Sequence, residues 1–204
     1  RAAAEGSRAG RVRVVDSRSI SVGAALVVRG AAEAAAAGAG AAEVEALAAR
    51  LAARSRLFVA VPDLAGLIRS GRLGGVKGLA ARSLGLRPLI TINAEGRAVS
   101  GGLYLGARNG VKALVAALRK NLPAGARLEA MIGHADAPEE AARLARVLAE
   151  TFELERELVI TPVSPALAAH AGLGAVALAF LLPEEEAGAA AGAAAGTAGA
   201  GGRA

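Results

Sequence analysis

Val44, Leu47 and Leu51 recur at spacings of three and four, which lines one face of a helix and predicts that element over residues 41–54. An Ala-rich stretch predicts another helix over residues 22–37, and Gly38-Ala39-Gly40 separates the two. Ahead of them the β-branched run 12–15 reads as a short strand ending at Asp16-Ser17. Leu57 to Val61 reads as a strand, after which Pro62 opens a short helix carrying Leu64, Leu67 and Ile68. A further helix is expected over residues 76–84. Residues 86–92 and 98–105 form a strand pair across the turn Ala94-Glu95-Gly96. Val111, Leu114, Val115 and Leu118 share one face of a helix that runs to Lys120 with Asn109 as its cap.

Residues 128–132 read as a strand. Asp136, Pro138 and Glu139 mark the start of a helix with negative charge at the positive end of its dipole. That helix turns Leu144, Val147, Leu148 and Phe152 inward. Residues 158–182 carry no formal charge and are long enough to span a bilayer. Pro162, Pro165, Gly172, Gly174 and His170 interrupt them, which disfavours a spanning helix. The expectation is two buried strands, 158–163 and 175–182, joined by a turn-rich loop around His170.

Alternating strands and helices give a mixed α/β (α+β) class. Residues 1–56 read as the C-terminal part of a first α/β domain and residues 57–183 as a second sheet-and-helix domain. Residues 184–204, almost all Ala and Gly after the first few, read as a disordered tail. Residues 1–10 contain no apolar run of the signal-peptide kind and begin with Arg1, so the chain is expected to be a fragment.

Composition narrows the chemistry. The 204 residues are 54% hydrophobic, which supports a core, but only 2% aromatic. The absence of cysteine excludes disulfides, Fe–S clusters, Cys-ligated zinc and a thiol nucleophile. Two histidines without HExxH spacing disfavour a zinc hydrolase, and no nucleophile elbow is present. A net charge of +6 suits an anionic partner, but the arginines are scattered, so no nucleic-acid interface is expected. Residues 77–88 resemble the turn of a helix-turn-helix, yet strands flank them closely.

Candidate sites remain. Gly71, Arg72, Gly74 and Gly75 lie in a basic glycine-rich loop, 70–78, which could cradle a phosphate or carboxylate or be a plain surface loop. It is not a Walker loop, because Gly78 rather than Ser or Thr follows Lys77. Asp16, Ser17, Ser19 and Ser21 cluster polar groups before a helix, where turn and cap chemistry is the simpler account. His134, between a strand and a helix start, suits a local hydrogen bond. His170 is either a tie within its loop or a ligand contact.

Several segments fall in the order of one family. Val14-Val15-Asp16-Ser17 is followed by Ser21-Val22-Gly23, then by Leu67-Ile68-Arg69-Ser70-Gly71-Arg72-Leu73. Next come Leu86-Arg87-Pro88-Leu89-Ile90, Arg108 with Lys112-Ala113, and His134-Ala135-Asp136 with Pro138-Glu139-Glu140-Ala141. Pro165 and His170-Ala171-Gly172-Leu173-Gly174-Ala175 close the series. Over residues 11–182 the chain resembles the DegV family of fatty-acid-binding proteins. It departs at Ser70, Ala171 and Leu173, and two Ser/Thr-rich loops of the family's front part would precede Arg1.

The resemblance implies a cytoplasmic carrier without cofactor or metal, not itself an enzyme. It would bind a long-chain fatty acid, with residues 57–183 holding the tail, and present the carboxylate to a fatty-acid kinase. It also implies that His170, Arg72, Arg108, Gly71 and Ser21 contact the ligand. An interior of Ala, Val, Leu and Ile with few rings could leave a narrow channel, where each buried methylene contributes about 0.8 kcal/mol. Two alternatives stay open: an enzyme or binding domain that takes a phosphorylated small metabolite on loop 70–78, and a purely structural domain.

Overall fold

The computed structural model describes residues 12–62 and 85–184. The helices expected at 62–68 and 76–84, the loop 70–78, and most of the Ala/Gly-rich stretch lie outside them. Five α-helices and six strands follow in chain order among the described residues. They are α1 (Ser21–Ala36), α2 (Ala41–Arg54), β1 (Ser55–Ala60), β2 (Leu86–Ile92), β3 (Ala98–Leu105) and α3 (Gly110–Asn121). After them come β4 (Ala130–His134), α4 (Pro138–Thr151), β5 (Val159–Pro162), α5 (Pro165–Ala171) and β6 (Val176–Leu181). A 3-10 turn, Ala107–Asn109, links β3 to α3.

The strands form one sheet in the order β3-β2-β1-β6-β4-β5. All neighbours are antiparallel except β4 and β5. Side chains alternate between the two faces. Phe58, Ala60, Ile132, Leu178 and Phe180 pack under α3 and α4, whose Leu114, Leu118, Leu144 and Leu148 are fully buried. Each such leucine contributes about 1.5–3 kcal/mol. Phe58 and Phe180 stack there with ring centroids 6.2 Å apart. Leu57, Met131, Ala177, Ala179 and Leu181 face the other way, toward Val22, Leu26 and Val27 of α1, with α2 packed on α1.

The structure departs from the expectations in four places. Residues 12–15 form no strand among the described residues, so no ladder shields Val12 and Val14 from solvent. β5 is not buried: among the described residues it is an edge strand with β4 as its sole neighbour, and Val159 and Ile160 remain exposed. The loop around His170 is a helix, α5, begun by Pro165 and capped by Ser164 Oγ, which accepts a hydrogen bond from the Leu167 N–H. Asn109 does not cap α3 through its side chain; its Nδ2 donates to the Leu105 carbonyl at 2.6 Å.

At the start of α4 the N-cap is Ala137, and His134 Nδ1 accepts the Ala137 N–H at 3.2 Å. His134 therefore makes the local hydrogen bond its position suggested. Glu139 and Glu140 do occupy the first turn. The uncharged stretch 158–182 folds as β5, α5 and β6, and no described helix is long and apolar enough to cross a membrane. The division expected after residue 56 falls inside β1, and α1 packs on the same sheet as the later strands.

Candidate ligand-binding cleft

α1 lies over the sheet, against β1, β4 and β6, and the cleft lies beside its first turn. The loop 16–20 carries the chain onto the sheet. Gly23 lets that loop fold back on the first turn of α1, because a Cβ at that position would lie 2.2 Å from Ser19 Oγ, and the same turn sits beside Leu57, whose Cβ would be 3.4 Å away. Leu57, Val59, Ile90, Ile92 and Ala177 floor the cleft. Ile20 and Ser21 border it at the start of α1, and Leu167 and His170 border it from α5.

The polar side chains lining the cleft are few. Thr91 is satisfied within the sheet, its hydroxyl donating to the Leu57 carbonyl at 2.8 Å. Ser21 and His170 remain, and the His170 imidazole makes no hydrogen bond among the described residues. Among the described residues no carboxylate lines the cleft. α1 has no side-chain cap and no acidic residue in its first turn, so its positive dipole end beside Ser21 is not neutralised from within the helix. An apolar trough with a hydroxyl, an imidazole and a helix N-terminus at its margin matches an amphiphile with an anionic head. Among the described residues no group of three or more acidic or histidine side chains could hold a metal ion.

Of the residues singled out in the sequence, the structure thus brings Ser21 and His170 to one cleft. Arg108 is elsewhere. It is exposed in the turn after β3, its carbonyl accepts from Arg143 Nη2 at 2.9 Å, and it does not line the cleft. It does lie at the same end of the sheet as α5, because Leu105 pairs with Leu86 beyond the C-terminal end of β1. Gly71 and Arg72 lie outside the described residues. Ile20, Leu57, Val59, Ile90, Thr91 and Ile92 were not anticipated. The signal was period-two alternation in β1 and β2, hidden because both faces of these strands are apolar.

The match to known proteins decides the family. Residues 1–182 fit the family model described as "Uncharacterised protein, DegV family". The chain belongs to the DegV family. A DegV domain-containing protein of Mycobacterium tuberculosis is 34% identical over 166 residues, which cover 81% of this chain and 58% of that protein. The chain thus spans less than two thirds of the length of the curated DegV relatives it matches. A DegV family protein from Thermus thermophilus, solved as a fatty-acid-binding protein, superposes with a TM-score of 0.74 at 28% identity. That match covers 84% of this chain and 61% of the other. A Thermotoga maritima protein, whose structure reveals a fatty-acid-binding function, matches with a TM-score of 0.70 at 25% identity over 84% of this chain and 59% of its own.

Proposed function

We propose that this chain is the acyl-binding part of a fatty-acid carrier. The observation that carries the reading is the cleft itself: an apolar floor of Leu57, Val59, Ile90 and Ile92, with Ser21 and His170 at its margin, neither side chain hydrogen-bonded among the described residues. The acyl chain lies along the floor, where burying each methylene contributes about 0.8 kcal/mol. The carboxylate sits near His170 and Ser21, which supply hydrogen bonds from an imidazole and a hydroxyl. Solved DegV-family relatives that bind fatty acids support this reading.

The finer role follows from the family resemblance. The carrier works in the cytoplasm, performs no catalysis and presents the carboxylate to a fatty-acid kinase, which transfers the phosphoryl group. Arg108, at the same end of the sheet as α5, and Gly71 and Arg72 of the loop 70–78 are the groups proposed to meet the head group or its phosphate.

Native mass spectrometry tests the binding. The purified chain, mixed with oleate or palmitate, is expected to retain one equivalent, and a short acid such as butyrate is expected to bind far less. Equal retention of butyrate, or no retention of the long acids, would refute the proposal.

A further inference from the structure

The loop 16–21 crosses from the tip of the β2–β3 hairpin to the first turn of α1, and four observations set it apart. Arg18 and Ser21 both hold left-handed backbone, with φ of 47° and 52°, a conformation that costs roughly 1–2 kcal/mol per non-glycine residue. Asp16 Oδ1 accepts the Arg18 N–H at 2.9 Å and so fixes the first of these bends. The Arg18 guanidinium reaches across to the hairpin, where Nη1 donates to the Ala94 carbonyl at 3.2 Å. Gly96 lies directly under Arg18, since a Cβ there would come within 3.4 Å of the Arg18 Cα.

Between the two bends sits Ile20. It lines the cleft and yet is 47% exposed, so its side chain spans the boundary between the apolar trough and water. Its backbone is held from one side by α1, because the Gly23 N–H donates to the Ile20 carbonyl at 3.1 Å. From the other side it is held through Arg18. A strained segment persists only while its surroundings hold it. Among the described residues the one hydrogen bond that ties the loop to the hairpin comes from a solvent-exposed side chain, with Gly96 packed beneath Arg18, and such an exposed bond opens at low cost.

We propose that residues 16–21 are a strap across the cleft and that Arg18 is its latch. With the latch on Ala94, Ile20 lies over the trough and Ser21 is held at its margin. Release of the Arg18–Ala94 bond lets the two left-handed residues relax, Ile20 swings away, and the apolar floor opens toward the hairpin side. Arg18 is a positioning residue that governs ligand exchange and does not touch the ligand. The ligand class in this inference rests on the fatty-acid reading above, whereas the latch is a property of the chain alone.

Two measurements test it on the full chain. In the first, the dissociation of cis-parinaric acid is followed by stopped-flow fluorescence after adding excess oleate. Arg18→Ala is expected to release the probe about three- to tenfold faster than the wild type, as loss of one hydrogen bond predicts. Arg18→Lys has the same backbone preference as Ala but keeps a donor able to reach Ala94, and is expected to return to within about twofold of the wild type. In the second, hydrogen exchange without ligand is expected to quicken in the peptide covering residues 16–21 of Arg18→Ala, while α1 beyond its first turn stays protected. Because exchange needs no ligand, a wild-type chain that fails to bind the probe counts against the fatty-acid reading, and the exchange result then decides the latch. Unchanged exchange over residues 16–21 in Arg18→Ala overturns the latch. So does dissociation from Arg18→Ala at the wild-type rate, or from Arg18→Lys as fast as from Arg18→Ala.

Discussion

Ser21, which opens α1, and His170, near the end of α5, line the same apolar cleft, whose strands neither belongs to. Two helices far apart in sequence thus bring to it a hydroxyl and an imidazole, and β1, β2 and β6 supply most of its apolar surface.

His170→Ala is expected to weaken oleate binding by about 1.5–3 kcal/mol, roughly tenfold or more, which is the value of a hydrogen bond to a charged group. Half-buried and without hydrogen bonds among the described residues, His170 contributes little to the fold, so the thermal midpoint should stay near that of the wild type. Fluorescence displacement and a circular-dichroism melt check both statements. A variant that binds normally or unfolds would make His170 a structural residue.

Filling the hairpin end of the cleft should discriminate by length. Ala98 lines that end and is exposed, so Ala98→Phe is tolerated by the fold while it occupies the trough. Excluding two methylenes costs about 1.6 kcal/mol at about 0.8 kcal/mol each. The affinity for stearate should therefore fall by more than tenfold, and that for laurate by less, in titrations of the two acids side by side. An equal loss for both would place the tail elsewhere.

Tyr104 is the chain's single tyrosine, so its ionisation is readable by absorbance. It is buried, and its hydroxyl donates to the Val61 carbonyl at 2.9 Å. Desolvation raises its pKa from 10.0 to about 12, against a smaller lowering by Arg87. The native state therefore holds this proton more tightly than the unfolded chain. The stabilisation is complete below about pH 10 and is lost as pH rises from there toward about 12. A phenolate titration should show a midpoint near 12 in the native protein and near 10 in denaturant. A native midpoint near 10 would contradict the buried hydrogen bond.

Glu129 joins α1 to the start of β4. It pairs with Arg29 at 2.5 Å and with Arg156 at 3.5 Å, and Arg156 also holds Glu33 at 2.8 Å. The Glu129 and Arg29 side chains are mostly buried, whereas Glu33 is half exposed. Glu129→Ala leaves the Arg29 charge without its partner and is expected to cost about 1–3 kcal/mol in urea unfolding. Glu33→Ala, a surface pair, should cost no more than about 1 kcal/mol. The reverse order would refute the assignment of Glu129 as the hub.

Local chemistry in the sequence determined the lengths and places of most elements. The apolar stripe Val44, Leu47, Leu51 marked α2, the turn Ala94-Glu95-Gly96 marked the β2–β3 hairpin, and the ordered motifs marked the family. Each depends on residues a few positions apart, where periodicity and turn preference act directly. Only the tertiary structure decided which strands are central. β5 and β6 have similarly apolar sequences, yet β5 is an exposed edge and β6 is wholly buried between β1 and β4, because sheet order sets the number of neighbours. The cleft, too, was decided by packing. Ile20, Val59 and Ile92 look like ordinary core residues in the sequence, and they line a cleft beside the start of α1. That arrangement depends on contacts between segments far apart in the chain, such as Gly23 against Leu57, which no local pattern encodes.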